Sequence, residues 1–366
     1  MSHAGGPATS ASHGRRVVDD GATICSNAAV IDFEKTPPDV KELLGKRISQ
    51  LGLKVEGSPV ERSVERLRKE LVKKGILRFR AVVYLTDEWG CPSGEPVIGV
   101  PFYLADPKLS RLERSVNDLE SEREILMYLR HEACHAFNYA YRLYATPEWR
   151  ELFGPFNRRY RDDYQPVPFS HKYVRYLAGW YAQKHPDEDF AETFAVWLTP
   201  RSAWRERYKG WPALAKLRYV DRMVKKLGDS EPVVGTGATD ITVEEMELTV
   251  EEFYRQVLEQ NRAAVDLAMD GDLRDMFVAK NARRKNARPA AELIHEHRVV
   301  LTDKITYWTG VKRPIVRGLV ESMARHARVR DLWCERTQES SALVELTAYG
   351  TTLAMNYLTR GKFVHV

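Results

Sequence analysis

Five consecutive residues, His131-Glu132-Ala133-Cys134-His135, constrain this chain more than any other stretch. Two histidines at i and i+4 lie one above the other only on a helix, where both imidazoles reach a single Zn²⁺. Glu132, about 100° round the helix, flanks the ion and can take a proton from a water that the metal activates. The surrounding pattern reads as that helix. Ser121-Glu122-Arg123-Glu124 opens it, and Ile125, Leu126, Leu129, Ala133, Phe137 and Ala140 recur at 3- and 4-residue spacing, burying the side away from the metal. The plainer alternative is a pair of surface histidines on an amphipathic helix, so the motif needs a third ligand.

Residues 185–200 offer one. Pro186 suits the first helical position, Asp187, Glu188 and Asp189 favour the positive N-terminus, and Pro200 ends the element. Glu188 and Glu192 share a face of this second helix, while Phe190, Phe194, Ala195 and Leu198 supply an apolar one. Glu188 is therefore the expected third zinc ligand. Glu192, one turn on, is expected to accept a hydrogen bond from a ligating imidazole and fix its tautomer. An ordinary acidic first turn on a surface helix is the competing explanation.

H-E-x-x-H followed by a helix carrying E-x-x-x-(D/E) resembles the gluzincin metallopeptidases. A closer likeness, over roughly residues 40–228, is to a bacterial family of zinc-binding metallopeptidases, carried by 129–141 and by Gly179-Trp180-Tyr181 through Pro200. The E-x-F-A-E-x-F core at 188–194 also resembles the catalytic domain of anthrax lethal factor, where a tyrosine seven residues before the ligand glutamate assists catalysis. Tyr181 stands at that offset. The resemblance implies His131, His135 and Glu188 as ligands, Glu132 as base and Tyr181 as the group that stabilises the oxyanion. The first four follow from spacing as well; the role of Tyr181 rests mainly on the likeness. Many members of the family carry a Cys-rich, zinc-ribbon-like N-terminus, and this chain departs from that pattern. Cys25, Cys91, Cys134 and Cys334 are far apart with no C-x-x-C, which argues against a second, structural zinc and against a disulfide framework. Cys134, at a variable position of the motif, reads as a small packing residue.

Length and charge bound the rest. A chain of 366 residues with 43% hydrophobic content suits one large domain and a smaller one. No window of about 20 residues is free of charge, and the N-terminus has no apolar core of a signal peptide, so a cytoplasmic protein with no membrane partner is expected. A net charge of +5 does not by itself indicate a nucleic-acid partner.

Four segments are expected. Residues 1–37, rich in Gly, Ser, Ala and Thr over the first 26, read as disordered. Residues 38–229 read as the metallopeptidase domain, 230–248 as a linker, and 249–366 as a mostly α-helical C-terminal domain of unassigned role. Within the metallopeptidase domain, 39–53 and 60–74 look amphipathic, and 77–85 and 97–104 read as strands. Residues 97–104, with Pro101, could form an edge that pairs with an extended substrate, or simply half of a structural hairpin. About 50 residues separate the two metal helices, among them Trp149, Phe153, Phe156, Tyr160, Tyr164, Tyr173, Tyr176 and Trp180. These suit a satellite core or an aromatic specificity wall. His171 and His185 could supply a second electrophile, against a solvent-facing histidine and a helix N-cap. Residues 201–227 hold nine Lys or Arg against two acids, the pattern of a solvated helix face or of a site for an acidic ligand. The C-terminal part reads as helices over 249–277, 289–309, 312–329 and 337–359 with a basic turn at 280–288. Its His295-Glu296-His297 lacks the i,i+4 geometry for zinc.

The expected architecture is thus α+β: a gluzincin-type zinc metallopeptidase domain, a small sheet plus active-site helices, followed by a helical C-terminal domain. The expected activity is zinc-dependent hydrolysis of a peptide or protein substrate, with one Zn²⁺ per chain and Glu132 as general base. The alternative is a catalytically inactive scaffold that binds a protein partner or nucleic acid through its basic segments. The sequence sets no oligomeric state.

Overall fold

The computed structural model describes residues 38–360 apart from 117–118, 161–163, 165, 168, 263–268, 281–285 and 312. The N-terminal segment read as disordered, Cys25, and Arg283, Arg284 and Lys285 of the basic turn lie outside the described residues. In chain order the first half comprises α1 (Pro38–Leu44), α2 (Glu61–Lys73), β1 (Val82–Thr86), β2 (Val97–Pro101), α3 (Pro107–Val116), α4 (Glu122–Ala140), α5 (Pro147–Phe153), α6 (Pro186–Leu198), α7 (Trp204–Arg207) and α8 (Ala213–Leu227). There follow α9 (Val250–Arg262), α10 (Asp270–Met276), β3 (Val278–Ala279), β4 (Ala287–Pro289), α11 (Ala290–Glu296), α12 (Arg298–Thr309), α13 (Arg313–Val329), β5 (Leu332–Glu335) and α14 (Glu339–Arg360). The protein is mixed helix and small sheets, mostly helical. Among the described residues no helix is long and apolar enough to cross a membrane.

Helices α4 and α6 cross at the centre, and their termini are written into the sequence. Ser121 and Glu124 form a reciprocal capping box at the start of α4: the Ser121 hydroxyl accepts from the Glu124 N–H at 3.3 Å and the Glu124 carboxylate from the Ser121 N–H at 2.8 Å. The side chain of His185 caps α6, accepting from the Asp187 N–H at 3.1 Å, and Pro186 fills the first turn. The two helices lock through Phe137 and Phe194, whose rings meet edge to face at 5.1 Å between centroids. Both are fully buried, and each such side chain contributes about 1.5–3 kcal/mol on leaving water. Around this pair, α2 and β2 pack on α4, and α5 and α8 on α6. Trp149 and Phe153 of α5 pack against Phe190, and Phe156 stacks on Tyr144, so these aromatics of the long insertion form a satellite core.

Strands β1 and β2 pair in parallel, Val82 opposite Val97 through Thr86 opposite Pro101. A hairpin would have made them antiparallel. The connection 87–96 instead runs back along the far edge of β2, where Gly90 bridges Gly99 with hydrogen bonds of 2.7 and 3.3 Å, before turning into the strand. At Gly99 both edges of β2 are therefore occupied, and no substrate backbone can pair there. The close fit explains the glycine: a Cβ at Gly99 would fall 2.8 Å from the Thr86 methyl.

Residues 230–248 are laid against the first half of the chain. The N–H groups of Val234, Asp240 and Ala238 donate to Ala140 O, Tyr84 Oη and Glu95 Oε2, and Leu248 O accepts from the Ile48 N–H. Beyond them, helices α11 to α14 pack around Leu293, Ile305, Leu319, Met323 and Leu346. A small antiparallel sheet of order β3-β5-β4 sits among these helices, so this part is not purely helical.

Candidate metal centre

Helix α6 poses an energetic problem that its partners solve. Every residue from Pro186 to Leu198 is buried, including four carboxylates, Asp187, Glu188, Asp189 and Glu192. Buried carboxylates are costly unless paired or hydrogen-bonded. Asp189 meets the Lys216 ammonium at 2.5 Å, yet burial still pushes its carboxyl up to about 7. The other three converge on the histidines of α4.

His131 Nε2 lies 3.0 Å from Glu188 Oε2, His135 Nε2 lies 3.2 Å from the same oxygen, and the two Nε2 atoms are 3.1 Å apart. Ligand atoms of His131, His135 and Glu188 all fall within 4.8 Å of one another, and all three residues are buried. A tetrahedral Zn²⁺ with bonds of about 2.0–2.2 Å separates its ligand atoms by roughly 3.3–3.6 Å, so the observed triangle is within a few tenths of an ångström of that size. The outer nitrogens support the same orientation. His135 Nδ1 is 2.9 Å from Asp187 Oδ2, which leaves Nε2 with its lone pair towards the centre. Asp187 is itself fixed by Asn138 Nδ2 at 2.7 Å and by the Tyr139 hydroxyl. Glu192 Oε1 stands 3.2 Å from His131 Nδ1, an ion-pair distance whose angle falls short of a directed hydrogen bond, since that nitrogen has no hydrogen-bonded partner among the described residues. The donor set, two imidazoles and a carboxylate with anions behind both rings, suits a divalent cation such as zinc.

Burial, the largest influence on His131, disfavours its charged form, but Glu188 and Glu192 override it and hold the imidazole up to about 9. Burial raises the Glu132 carboxyl, and the two imidazoles beside it pull the other way. Burial and then Glu188 keep the Tyr181 hydroxyl well above its ordinary value, so it remains a proton donor in hydrogen bonds.

Tyr181 begins a 3₁₀ turn, Tyr181–Gln183, just ahead of α6, with its ring 5.7 Å from that of His131. Its hydroxyl lies 3.2 Å from that of Tyr160, which in turn donates to Glu188 Oε1 at 2.6 Å. Of the six residues singled out in the sequence, His131, His135, Tyr181, Glu188 and Glu192 thus come together, and Glu132 is buried beside the histidines on α4. Two more stand with them: Asp187, which the sequence marked only as a favourable charge at a helix start, and Tyr160, one of many aromatics in the insertion. Asp187 sits at the position before Glu188, a signal that could have been used; nothing in local sequence distinguishes Tyr160 from its neighbours. Glu192 also accepts from the N–H groups of Tyr176 and Leu177, at 3.0–3.2 Å, tying the loop before Tyr181 to the metal helix.

His185 Nε2–H donates to Arg158 O at 2.8 Å while its other nitrogen caps α6, and His171 stacks on Trp211, so both have structural duties. Cys134 is buried and free, and burial pushes its thiol up. In the basic segment, Arg205 and Lys225 pair with Asp221, Lys216 with Asp189 and Arg222 with Glu148.

Comparison with curated proteins and with solved structures gives no match. The likeness read over about 40–228 is found over a shorter stretch that still holds both metal helices and the tyrosine loop: residues 95–209 match the model of the family described as putative zinc-binding metallo-peptidase.

Proposed function

We propose that this chain is a zinc-dependent peptidase of gluzincin type. The observation that carries the reading is the triangle of His131 Nε2, His135 Nε2 and Glu188 Oε2, with each edge 3.0–3.2 Å, in a buried site. The family match over 95–209 supports a peptide or protein as substrate. His131, His135 and Glu188 would hold the Zn²⁺, which when bound would lower the pKa of water towards neutrality and polarise a carbonyl.

The remaining work falls to the chain's own side chains. Glu132, buried and raised in pKa, accepts the proton of the attacking water and returns it to the leaving amine. Tyr181, held protonated, donates a hydrogen bond to the oxygen that becomes the oxyanion. Asp187 and Glu192 orient the imidazoles from behind. Tyr160, whose own proton goes to Glu188, accepts from the Tyr181 hydroxyl until substrate takes that hydrogen bond.

An inactive scaffold needs neither Glu132 nor Tyr181, and the chain carries both. The basic segment that favoured it spends four of its nine cations on ion pairs within the fold. Hydrolysis decides between the two: zinc-loaded protein cleaves peptide bonds, and Glu132→Gln with the same zinc content does not.

A further inference from the structure

The loop that carries Tyr181 has an unfavourable backbone. Gly179 and Trp180 both occupy the left-handed region, at φ +82° and +54°, and a tryptophan there is strained. Such a conformation persists only where its surroundings fix it. Glu192 fixes one side, through the N–H groups of Tyr176 and Leu177. The other side is fixed by the C-terminal end of α12, more than 120 residues downstream.

Two contacts make that second clamp. Gly310, the left-handed residue that ends α12, lies directly on Gly179: a Cβ at Gly310 would fall 1.8 Å from Gly179 Cα, and one at Gly179 would fall 2.5 Å from Gly310 Cα. Neither position admits any side chain. Beside them the Arg175 guanidinium lies between aromatic faces of both segments, 4.9 Å from the Trp180 ring and 4.4 and 5.3 Å from those of Tyr307 and Trp308, and Arg175 Nη2 donates to Tyr307 O. Phe169 adds a ring contact to both Trp180 and Trp308.

We propose that the end of α12, through Gly310 on Gly179 and through the Arg175 clasp, positions Tyr181 at the metal centre. The C-terminal helices are then part of the active machinery and not an appendage. This rests on the peptidase reading for the role of Tyr181, while the clamp itself stands on the loop geometry.

The discriminating variant is Gly310→Asn. Asparagine tolerates the left-handed backbone of a helix C-cap, so the cap survives while the new Cβ meets Gly179. On zinc-loaded full-length protein, amide exchange in 175–183 should accelerate by about tenfold, with 122–140 and 186–198 unchanged and the zinc retained. With a quenched fluorescent peptide that the wild type cleaves, kcat should fall about tenfold or more, with KM within about threefold. In a Tyr181→Phe background the same substitution should cost less than about twofold, because the tyrosine it displaces is already disabled. Unchanged exchange in 175–183, an unchanged kcat, or an equal cost in both backgrounds would overturn the proposal. Should the wild type cleave no peptide, the peptidase reading fails and the exchange measurement alone decides the clamp. Should Gly310→Asn not fold, Trp308→Ala, which removes one half-exposed face of the clasp, is read by the same three measurements and the same outcomes.

Discussion

His135 is held from both sides at the candidate metal centre: Asp187 Oδ2 lies 2.9 Å from His135 Nδ1, while Glu188, the next residue, meets the same ring's Nε2 at 3.2 Å. Two consecutive residues at the start of α6 thus hold opposite nitrogens of one imidazole. The ring can turn neither way without losing a partner.

Asp187→Asn should therefore loosen the metal without removing a ligand. The amide keeps the shape but has one acceptor oxygen, where the carboxylate serves His135 and Tyr139 through Oδ2 and Asn138 through Oδ1. Zinc affinity, measured by competition with a chelator of known affinity, should fall about 10–100-fold. A change below about threefold would mean that packing alone orients the ring.

The ligand set makes a stoichiometric prediction. Chelator-free protein should carry about one equivalent of zinc by elemental analysis, and His135→Ala and Glu188→Ala should each lose it. Glu192→Ala should weaken binding and still allow loading at excess zinc. Full metal in Glu188→Ala with none in Glu192→Ala would move the third ligand one turn along α6.

Arg130 and Glu70 supply a test of stability away from the chemistry. The guanidinium forks onto the carboxylate at 2.8 and 3.0 Å with both side chains buried, tying α2 to α4 immediately before His131. Arg130→Met leaves the buried Glu70 carboxylate with only the exposed Arg66, at 3.5 Å, and should cost up to about 3–5 kcal/mol, read as a lower urea midpoint. Glu70→Leu combined with Arg130→Met should recover most of that loss. No recovery would mean that Arg130 acts through its packing and its contact with Tyr176.

Tyr181→Phe removes one hydroxyl from a site that keeps its ligands. By analogy with an oxyanion-hole donor, kcat should drop about 10²–10³-fold, on the order of 2.7–4 kcal/mol, with KM and zinc content little changed. Less than about a tenfold loss would withdraw the catalytic role and leave Tyr181 as a neighbour of Trp180.

What was legible in the sequence follows from how local its causes are. The start of α4 is written in Ser121 and Glu124, and that of α6 in His185 and Pro186, because capping is settled within four residues. Spacing alone put His131, His135, Glu188 and Glu192 on faces that could meet. It could not reveal that Asp187 turns inward to His135, since that depends on how the two helices cross. Tyr160 comes from a loop whose path local patterns do not determine. The parallel pairing of β1 and β2 was hidden because alternation marks a strand and not its direction, which the return of 87–96 along Gly99 decides. Strands β3, β4 and β5, two to four residues long, are too short to show alternation at all. The largely polar composition of 230–248, with Pro232, Gly235 and Gly237, reads as a linker, yet its backbone hydrogen bonds lie along the first half of the chain.

The most direct test of the account is mass-spectrometric identification of the products when a complex peptide mixture is incubated with zinc-loaded wild type beside Glu132→Gln. The amide is nearly isosteric with the carboxylate and cannot take up the proton. The account predicts new peptide termini with wild type and none above background with Glu132→Gln, at equal zinc content and unchanged fold. New termini at comparable rates from both proteins would contradict it, placing the base elsewhere, and none from either would remove the peptidase reading altogether.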